Sequence, residues 1–429
     1  MIDFAIEQGG LFKYLGDGGE VITPDGVELI SEEAFKDCEN VTSVVFSDSV
    51  TCIEENVFGG CTNLKSVFIP YSVTEIGDFA FGDSGVESIT VDRYNSVYTD
   101  IDGNLYSKDR TELIQYAIGK KDTSFTVPSG VASIHEETFF GCTSLREVII
   151  PDGVTKIGGM AFANCMALER IILPDTVKTV GDSAFCNCPS LKEVIIPNGV
   201  TTIHFTAFRG CTGLTSIFIP ESVMKIGDMA FGENEFTEIR VDENNPCYTD
   251  IDGVLYSRDK TRLIQYACGK RDASYAIPDG VTKIDSCAFY NCKSLVNVFI
   301  PDSVTDIGWL AFDGCTSLSR ILCSDRECNV LGDQLFKLAL FEKTLSHYLH
   351  RLKRGNVTAE EEQGWNEVIT QNIVPTLTVM KNDLSFYQLA IEKRWLKKEC
   401  VDEVLFFTDS LECRTRLIEY KNGSVALNA

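Results

Sequence analysis

The 429-residue sequence is poor in the residues that bind phosphate groups or carry out acid–base chemistry. It contains 38 Lys+Arg against 63 Asp+Glu, a net charge of −25, and only 4 His. Residues 1–325 carry −24 of this charge. A phosphate-backbone ligand requires clustered Lys and Arg, so the composition argues against a nucleic-acid-binding protein. A long acidic surface favours solubility, and it would also steer a basic partner.

Long apolar runs are absent as well. No 18 apolar residues stand together, so the sequence predicts no transmembrane helix. The chain starts Met-Ile-Asp-Phe-Ala, without the basic region and long apolar stretch of a secretory signal, and we expect no signal peptide. We predict a cytoplasmic protein. Export, or display at the cell surface without a recognisable signal peptide, is the alternative.

Motifs that carry chemistry are missing too. The sequence has no Gly-rich phosphate loop, no G-x-S-x-G and no H-E-x-x-H. His135 and His204 lie in different repeat units, and His347 and His350 share a predicted helix face without a carboxylate motif at metal-ligand spacing. The Asp-x-Asp-Gly segment 100–103 has its Gly at the fourth position, whereas a calcium loop needs it at the sixth, and it predicts a turn. We therefore predict no enzyme, no cofactor and no metal site.

The sequence does contain one motif that repeats with a period of 23 residues between Pro128 and Pro220. A fixed period of about 20–29 residues with recurrent apolar positions is typical of a leucine-rich solenoid, in which stacked units bury a core that one unit cannot bury alone. Ten units carry a phenylalanine mark, at Phe35, Phe58, Phe81, Phe139, Phe162, Phe185, Phe208, Phe231, Phe289 and Phe312.

Each unit predicts two short extended segments. In residues 145–150, Val148 and Ile150 alternate and would both point inward from a strand. Pro151 has no N–H for a sheet and therefore marks the end of that strand. A second extended segment is predicted over residues 154–158.

The repeated phrase I-G-x-x-A-F-x-x-C-x-x-L-x-x-I-x-I-P resembles the BspA-type leucine-rich repeat family over about residues 21–323. One unit carries the match at Ile157, Gly158, Ala161, Phe162, Cys165, Leu168, Ile171, Leu173 and Pro174. The resemblance implies a β-rich α/β repeat fold, a leucine-rich-repeat solenoid with a parallel sheet. Many relatives are surface-exposed. The resemblance implies a protein-binding function but does not identify the partner.

Two inserts interrupt the array. Residues 91–128 and 241–278 align without gaps and agree at 24 of 38 positions. In each, an Asp-Gly pair between apolar runs predicts a hairpin turn, at 102–103 and at 252–253. We predict a three-stranded β-hairpin meander over 92–127 and over 242–277, each replacing one turn of the solenoid.

Cysteine is abundant, with 17 residues. Eight share one repeat position and predict an inward-facing column: Cys38, Cys61, Cys142, Cys165, Cys188, Cys211, Cys292 and Cys315. Disulfides between neighbouring turns are geometrically possible. Because Ser84 and Asn234 occupy the same column, we interpret these cysteines as buried free thiols, which suit a reducing compartment.

The ends of the chain differ from the array. Residues 1–20 predict an N-terminal cap in which Leu11, Phe12, Tyr14 and Leu15 cover the first turn. Residues 21–325 form the solenoid, and residues 326–429 predict a small α-helical C-terminal domain. Three short helices are expected there, at 384–396, 398–407 and 411–420.

One outward column of the predicted strands is largely apolar, although alternation predicts exposure. An exposed apolar stripe marks a partner site. Such residues also simply suit strands, or the C-terminal domain covers them. Our hypothesis is a protein-binding face formed by Phe68, Ile149, Ile172, Ile195, Phe218 and Phe299.

We therefore predict a non-enzymatic protein–protein interaction module or scaffold, whose partner and oligomeric state the sequence does not identify. An adhesin that binds host proteins is one alternative. A second alternative is an enzyme in the helical domain regulated by the solenoid, for which His347, His350, Cys400 and Cys413 are the residues to test.

Overall fold

The computed structural model describes residues 3–308, 310–318, 320–323, 369, 384–393, 395–396, 401 and 411–421. The chain divides into two compact units, residues 1–270 and residues 271–429. The two units hold about 13 turns of a β-solenoid with parallel sheets. The helical domain predicted for residues 326–429 stays a prediction, because most of that segment lies outside the described residues.

The first unit starts with an antiparallel hairpin, β1 (Phe4–Glu7) and β2 (Gly10–Tyr14). Each turn then contributes two strands. The first strands of the turns are β3 (Gly19–Ile22), β5 (Val41–Val45), β7 (Ser66–Ile69), β9 (Ser88–Val91), β13 (Ser124–Thr126), β15 (Glu147–Ile149), β17 (Arg170–Ile172), β19 (Glu193–Val194), β21 (Ser216–Ile219) and β23 (Glu238–Val241). The second strands are β4 (Leu29–Ile30), β6 (Cys52–Ile53), β8 (Glu75–Ile76), β14 (Ser133–Ile134), β16 (Lys156–Ile157), β18 (Thr179–Val180), β20 (Thr202–Ile203) and β22 (Lys225–Ile226).

Parallel pairing joins equivalent strands of successive turns. The first strands form the sheets β3-β5-β7-β9, β13-β15-β17-β19 and β21-β23. The second strands form two runs, one that continues the N-terminal hairpin through β4-β6-β8 and one from β14 to β22. Partners are one period apart, as in Ile134 with Ile157 and Ile157 with Val180. The solenoid and its parallel sheets are thereby confirmed.

The phenylalanine column forms the centre of the core. Phe162 stacks on Phe139 with ring centroids 4.7 Å apart, and Phe185 stacks between Phe162 and Phe208 at 5.1 Å on each side. Their planes differ by only 6–9°. A parallel register at one-turn spacing places identical rings directly above one another, so the column follows from the period itself.

The N-terminal hairpin adds a turn to the ten repeats and two inserts that the sequence predicts. Tyr14 takes the place of a repeat phenylalanine and stacks on Phe35 at 5.3 Å. Leu11 is also buried, but Phe12 and Leu15 are exposed. The prediction that all four residues cover the first turn is therefore wrong for Phe12 and Leu15, because the alternation of β2 turns Phe12 outward.

The cysteine column faces inward and is also a hydrogen-bonding column. The thiols of Cys61, Cys165, Cys188 and Cys211 each donate to the carbonyl oxygen of the phenylalanine one turn earlier, at 2.9–3.1 Å. Asn234 stands in the same column and its Nδ2 donates in the same way at 2.9 Å. Cysteine recurs at this position because its thiol is a weak hydrogen-bond donor that fits a small apolar space.

Two cysteines depart from the predicted column of buried free thiols. Cys292 is disulfide-bonded, as is Cys268, so the prediction of a free thiol at Cys292 is wrong. Neighbouring turns of a solenoid lie within the Cα separation that a disulfide spans, which makes this state sterically possible. Cys38, in the first full turn, is half-buried, and its thiol donates to the carbonyl of Lys36 in its own turn at 3.7 Å.

Both inserts contain the predicted three-stranded meander, whose strands are β10 (Tyr98–Ile101), β11 (Asn104–Ser107), β12 (Glu112–Gln115), β24 (Tyr248–Ile251), β25 (Val254–Ser257) and β26 (Arg262–Gln265). β10-β11-β12 and β24-β25-β26 pair antiparallel. Asp102 and Gly103 both have positive φ, 50° and 74°, which is the conformation of a tight two-residue hairpin turn. The prediction of hairpin turns at the Asp-Gly pairs is confirmed.

One buried asparagine fixes each insert to the preceding turn. Asn95 Nδ2 donates to the carbonyl oxygens of Pro70 and Val73, both at 2.8 Å. Its Oδ1 accepts two N–H groups of the insert at 2.9 and 2.8 Å. Asn245 makes the corresponding four bonds in the second insert. All four hydrogen-bonding positions of each side-chain amide are thus used.

Replacing Asn95 with Ala is expected to destabilise the first unit by about 2–3 kcal/mol, because it leaves several enclosed backbone groups without partners. Urea denaturation followed by circular dichroism measures this. The control is Asn63→Ala, which removes one exposed bond from Nδ2 to the Glu39 carbonyl and should cost less than about 0.5 kcal/mol. Equal losses for the two variants would contradict the proposed role of Asn95.

The second unit contains β27 (Ser274–Ala276), β28 (Lys283–Ile284), β29 (Asn297–Ile300), β30 (Asp306–Ile307), β31 (Arg320–Cys323), α1 (Leu384–Glu392) and α2 (Leu411–Lys421). β27-β29-β31 and β28-β30 pair in parallel. Phe289 stacks on Phe312 at 4.7 Å. In the described part of the chain, no helix has the length and apolar character that crossing a membrane requires. The helix predicted at 398–407 lies outside the described residues, apart from residue 401.

Candidate functional site

The candidate site is the outward surface of β15, β17, β19 and β21, which we call the central face. Along these strands the inward residues Val148, Ile171, Val194 and Ile217 are buried. The residue that follows each of them points outward, as alternation requires. The central face is defined by these outward residues, which are Ile149, Ile172, Ile195 and Phe218.

Exposure rises along the central face from Ile149 to Ile195 and is lower again at Phe218. Ile149 is half-buried. Ile172 is 37% exposed, Ile195 64% and Phe218 49%. Ile149 pairs in register with Ile172, and Ile195 follows Val194, the register partner of Ile171. Three isoleucines therefore stand on consecutive rungs about 4.8 Å apart, with Phe218 on the next turn.

Balanced charges lie beside these side chains. Glu169 bridges two cations, with Oε1 3.3 Å from Arg146 and Oε2 2.6 Å from Lys192. Hydrogen bonding and charge from Lys192 lower the pKa of Glu169. Arg170 lies 3.3 Å from Glu147 on the neighbouring rung. Opposite charges on successive turns neutralise one another at this surface.

Net charge separates the central face from the turns before it. Residues 145–219 hold 6 Lys+Arg and 6 Asp+Glu and are neutral, whereas residues 1–144 hold 8 Lys+Arg and 25 Asp+Glu, a net of −17. The acidity is therefore concentrated in the first third of the chain. The central face is apolar and electrically neutral.

The six predicted residues lie on or beside the strands of four sheets and belong to both units. Phe68 is half-buried on β7, in the sheet that ends at β9, and its register partners are Val45 and Thr90. The first insert separates this sheet from β15 in the chain. Phe299 is 44% exposed on β29 and belongs to the second unit. Ile149, Ile172, Ile195 and Phe218 form the coherent part of the prediction.

The histidines and the Asp-Gly turns show structural contacts. His204 Nδ1 lies 3.7 Å from Asp182. Asp100 Oδ1 accepts the N–H of Val91 at 2.9 Å, which anchors the turn to the solenoid. Over the described residues, no group of three His, Cys, Asp or Glu is arranged to hold a metal ion. His347, His350 and Cys400 lie outside the described residues, and Cys413 is a buried free thiol.

A cavity of about 240 Å³ beside the first insert was not predicted from the sequence. A short corner after β12 forms part of its wall, because Ile114 and Gln115 line the cavity. Leu113 of β12 pairs in register with Ile134 of β14. Only two residues separate Leu113 from Tyr116, whereas four separate Ile134 from Phe139, on which Tyr116 stacks at 5.2 Å. The sequence places Tyr116 one period before Phe139, which identifies it as part of the ring column, but that spacing does not reveal a cavity.

Comparison with known families agrees with the repeat geometry. A family model described as BspA type leucine rich repeat region matches in six copies, over residues 11–113, 116–244 and 266–351. No curated protein matches the chain.

Solved structures of bacterial repeat proteins are similar to this chain. The pneumococcal vaccine antigen PcpA is 24% identical over 68% of each chain, with a TM-score of 0.49. A leucine rich cell surface protein from Faecalibacterium prausnitzii is 28% identical over 74% of each chain, with a TM-score of 0.39. The leucine rich repeat protein of T. pallidum is 27% identical over 50% of this chain and 86% of its own, with a TM-score of 0.33. With the family model matching most of its residues, the chain belongs to the BspA-type leucine-rich repeat family.

Proposed function

We propose that the chain is a non-enzymatic interaction module that binds a protein partner through the central face. The observation that carries this proposal is the alignment of Ile172, Ile195 and Phe218, each more than a third exposed, on neighbouring turns of a neutral segment. Membership of a family of leucine-rich repeat proteins agrees with a role in binding. Adhesion to a host protein would use the same side chains, because the proposal concerns the surface and not the compartment.

The chemistry of the central face defines its partner. Covering a large apolar side chain completely contributes roughly 1.5–3 kcal/mol. These residues are about half exposed, so each contributes on the order of 1 kcal/mol when covered. Because the surrounding charges are paired, the partner should present an apolar surface without strong charge. Binding should therefore change little between low and physiological salt, unlike binding that is driven by net charge.

The test uses the full chain as bait in lysate of the source cell, with Ile172→Asp/Ile195→Asp as the variant. We expect the variant to retain less than about a hundredth of the captured partner, because two carboxylates would have to be desolvated in the interface. The melting temperature of the variant should differ from that of the wild type by no more than surface substitutions usually cause.

The matched control is Met166→Asp/Phe205→Asp. Met166 is 49% and Phe205 52% exposed on other parts of the same turns. A partner that belongs to the central face is retained by this control and lost from the first variant. Equal retention by both variants, or equal loss from both, would show that the central face is not the binding surface.

A further inference from the structure

The cavity beside the first insert lies in the acidic third of the chain. Asp78, Glu112 and Glu136 contribute three carboxylates to its lining. Phe79, Phe81 and Tyr98 contribute three aromatic rings. Among the described residues that line it there is no Lys or Arg, and His135 is the one basic side chain. The cavity therefore combines negative charge, hydrogen-bond acceptors and aromatic surface.

The two turns on either side of the cavity meet through a ring contact. Phe79 and Phe140 pack edge to face with centroids 4.6 Å apart. Phe79 lines the cavity, so this contact packs one wall of the cavity against the turn that follows the insert. Ligand sites are usually pre-formed concave pockets with a few convergent polar groups.

A buried carboxyl group behind the same wall supplies an independent observation. Glu137 is only 7% exposed, and its Oε2 has no hydrogen-bond partner. The carboxyl group accepts the backbone N–H of Phe79, and the carboxylates of Asp78, Glu136 and Glu55 act on it. Asp78, Phe79 and Glu136 also line the cavity. Because Glu137 interacts with Asp78, Phe79 and Glu136, its protonation is coupled to the charge on the cavity wall.

We propose that this cavity binds a guanidinium or primary ammonium group. The carboxylates of Asp78, Glu112 and Glu136 would accept its N–H groups, and the rings of Phe79 and Tyr98 would stack against the cation. The volume of about 240 Å³ suits one side chain or a short amine. The net charge of −17 on residues 1–144 would attract such a ligand from solution. This site is separate from the central face.

The experiment is isothermal titration of the full chain at pH 8, where imidazoles are neutral, with two probes. Nα-acetyl-arginine amide represents a peptide side chain, and spermidine represents a free polyamine. We expect at least one probe to bind. Asp78→Asn should weaken that binding at least tenfold. The matched control is Asp182→Asn, an exposed aspartate at the same repeat position that does not line this cavity, which should change binding less than twofold.

A second readout distinguishes this cavity from general acidity. Burial, with the charges of Asp78, Glu136 and Glu55, raises the pKa of Glu137 to about 8. A cation in the cavity favours the ionised form, so binding should release a proton. The measured heat should then differ between phosphate and HEPES buffers, which differ in ionisation enthalpy and contain no primary amine, and Glu137→Gln should abolish that difference while the probe still binds. The proposal would be overturned if neither probe bound at 10 mM, a concentration about a thousandfold above the dissociation constant of a tight site. It would also be overturned if Asp78→Asn and Asp182→Asn weakened binding equally.

Discussion

Replacing Phe185 with Ala is expected to destabilise the first unit by about 3–5 kcal/mol, since it removes a large side chain from a closed core. Phe185 is fully buried between Phe162 and Phe208, 5.1 Å from each ring. The backbone cannot collapse into the gap, because the hydrogen bonds of neighbouring turns fix their spacing. The loss is therefore at the upper end for a core truncation.

Because Phe185 lies in the middle of the stack, the loss of stability should also change the shape of the unfolding transition. Each turn of a solenoid contacts only its neighbours, so a weakened turn can separate the unfolding of the segments on either side. We expect the urea transition of Phe185→Ala to move to lower concentration and to become broader. Phe205→Ala is the control, because Phe205 is 52% exposed in the next turn and should cost less than about 1 kcal/mol. Similar midpoints for the two variants would show that the phenylalanine column is not the centre of the core.

The phenylalanine column also explains how much of the fold could be predicted. When the same residue returns every 23 positions, it indicates that each turn offers it the same structural environment. Phe139, Phe162 and Phe185 occupy one such environment in successive turns. The same reasoning predicted which strand residues face outward, including Ile172 and Ile195. Periodicity identifies positions within a turn well because every turn supplies an independent copy of the signal.

The cavity could not be predicted in the same way. Part of its wall is a corner two residues shorter than in the repeats, and its carboxylates come from the turns before and after the insert. Averaging over repeats removes such a feature. The repeat pattern does not distinguish Glu137 from its equivalents in other turns either. Glu33, Asn56 and Met160 occupy the same left-handed position, with φ of 59°, 53° and 50°. The position is repeated, but the burial of Glu137 is not.

The separation of Phe68 from the central face has a related cause. The sequence places Phe68 and Ile149 in one column of repeats, because both precede the end of a strand. The first insert lies between them, and β7 belongs to a sheet that ends at β9, before β13-β15-β17-β19 begins. A column in the alignment is thus a continuous surface only where no insert separates consecutive turns.

Glu137 should make the stability of the first unit depend on pH. Burial is the main cause that raises its pKa from the ordinary value of 4.5 to about 8, and the charges of Asp78, Glu136 and Glu55 add to the effect. The N–H of Phe79 opposes it. The folded chain therefore holds a proton that the unfolded chain has released between about pH 4.5 and pH 8. The resulting stability is fully present below pH 4.5 and is lost as the pH rises towards 8.

Glu137→Gln should remove this dependence, because the amide stays neutral at every pH. Each pKa unit corresponds to about 1.4 kcal/mol, and relaxation around the ionised group reduces the full value. We expect the free energy of unfolding of the wild-type chain, relative to that of Glu137→Gln, to fall by about 2–3 kcal/mol between pH 5 and pH 8.5.

Urea denaturation at several pH values measures that difference directly. Glu33→Gln is the matched control, because Glu33 has the same left-handed backbone conformation but is exposed, and its substitution should leave the pH profile parallel to that of the wild type. If the difference between wild type and Glu137→Gln stays constant across this range, the carboxyl group of Glu137 is solvated and ionises normally. If it falls as expected, the first insert creates a protonated carboxyl group at neutral pH inside the most acidic part of the chain, where a bound cation would shift the same equilibrium.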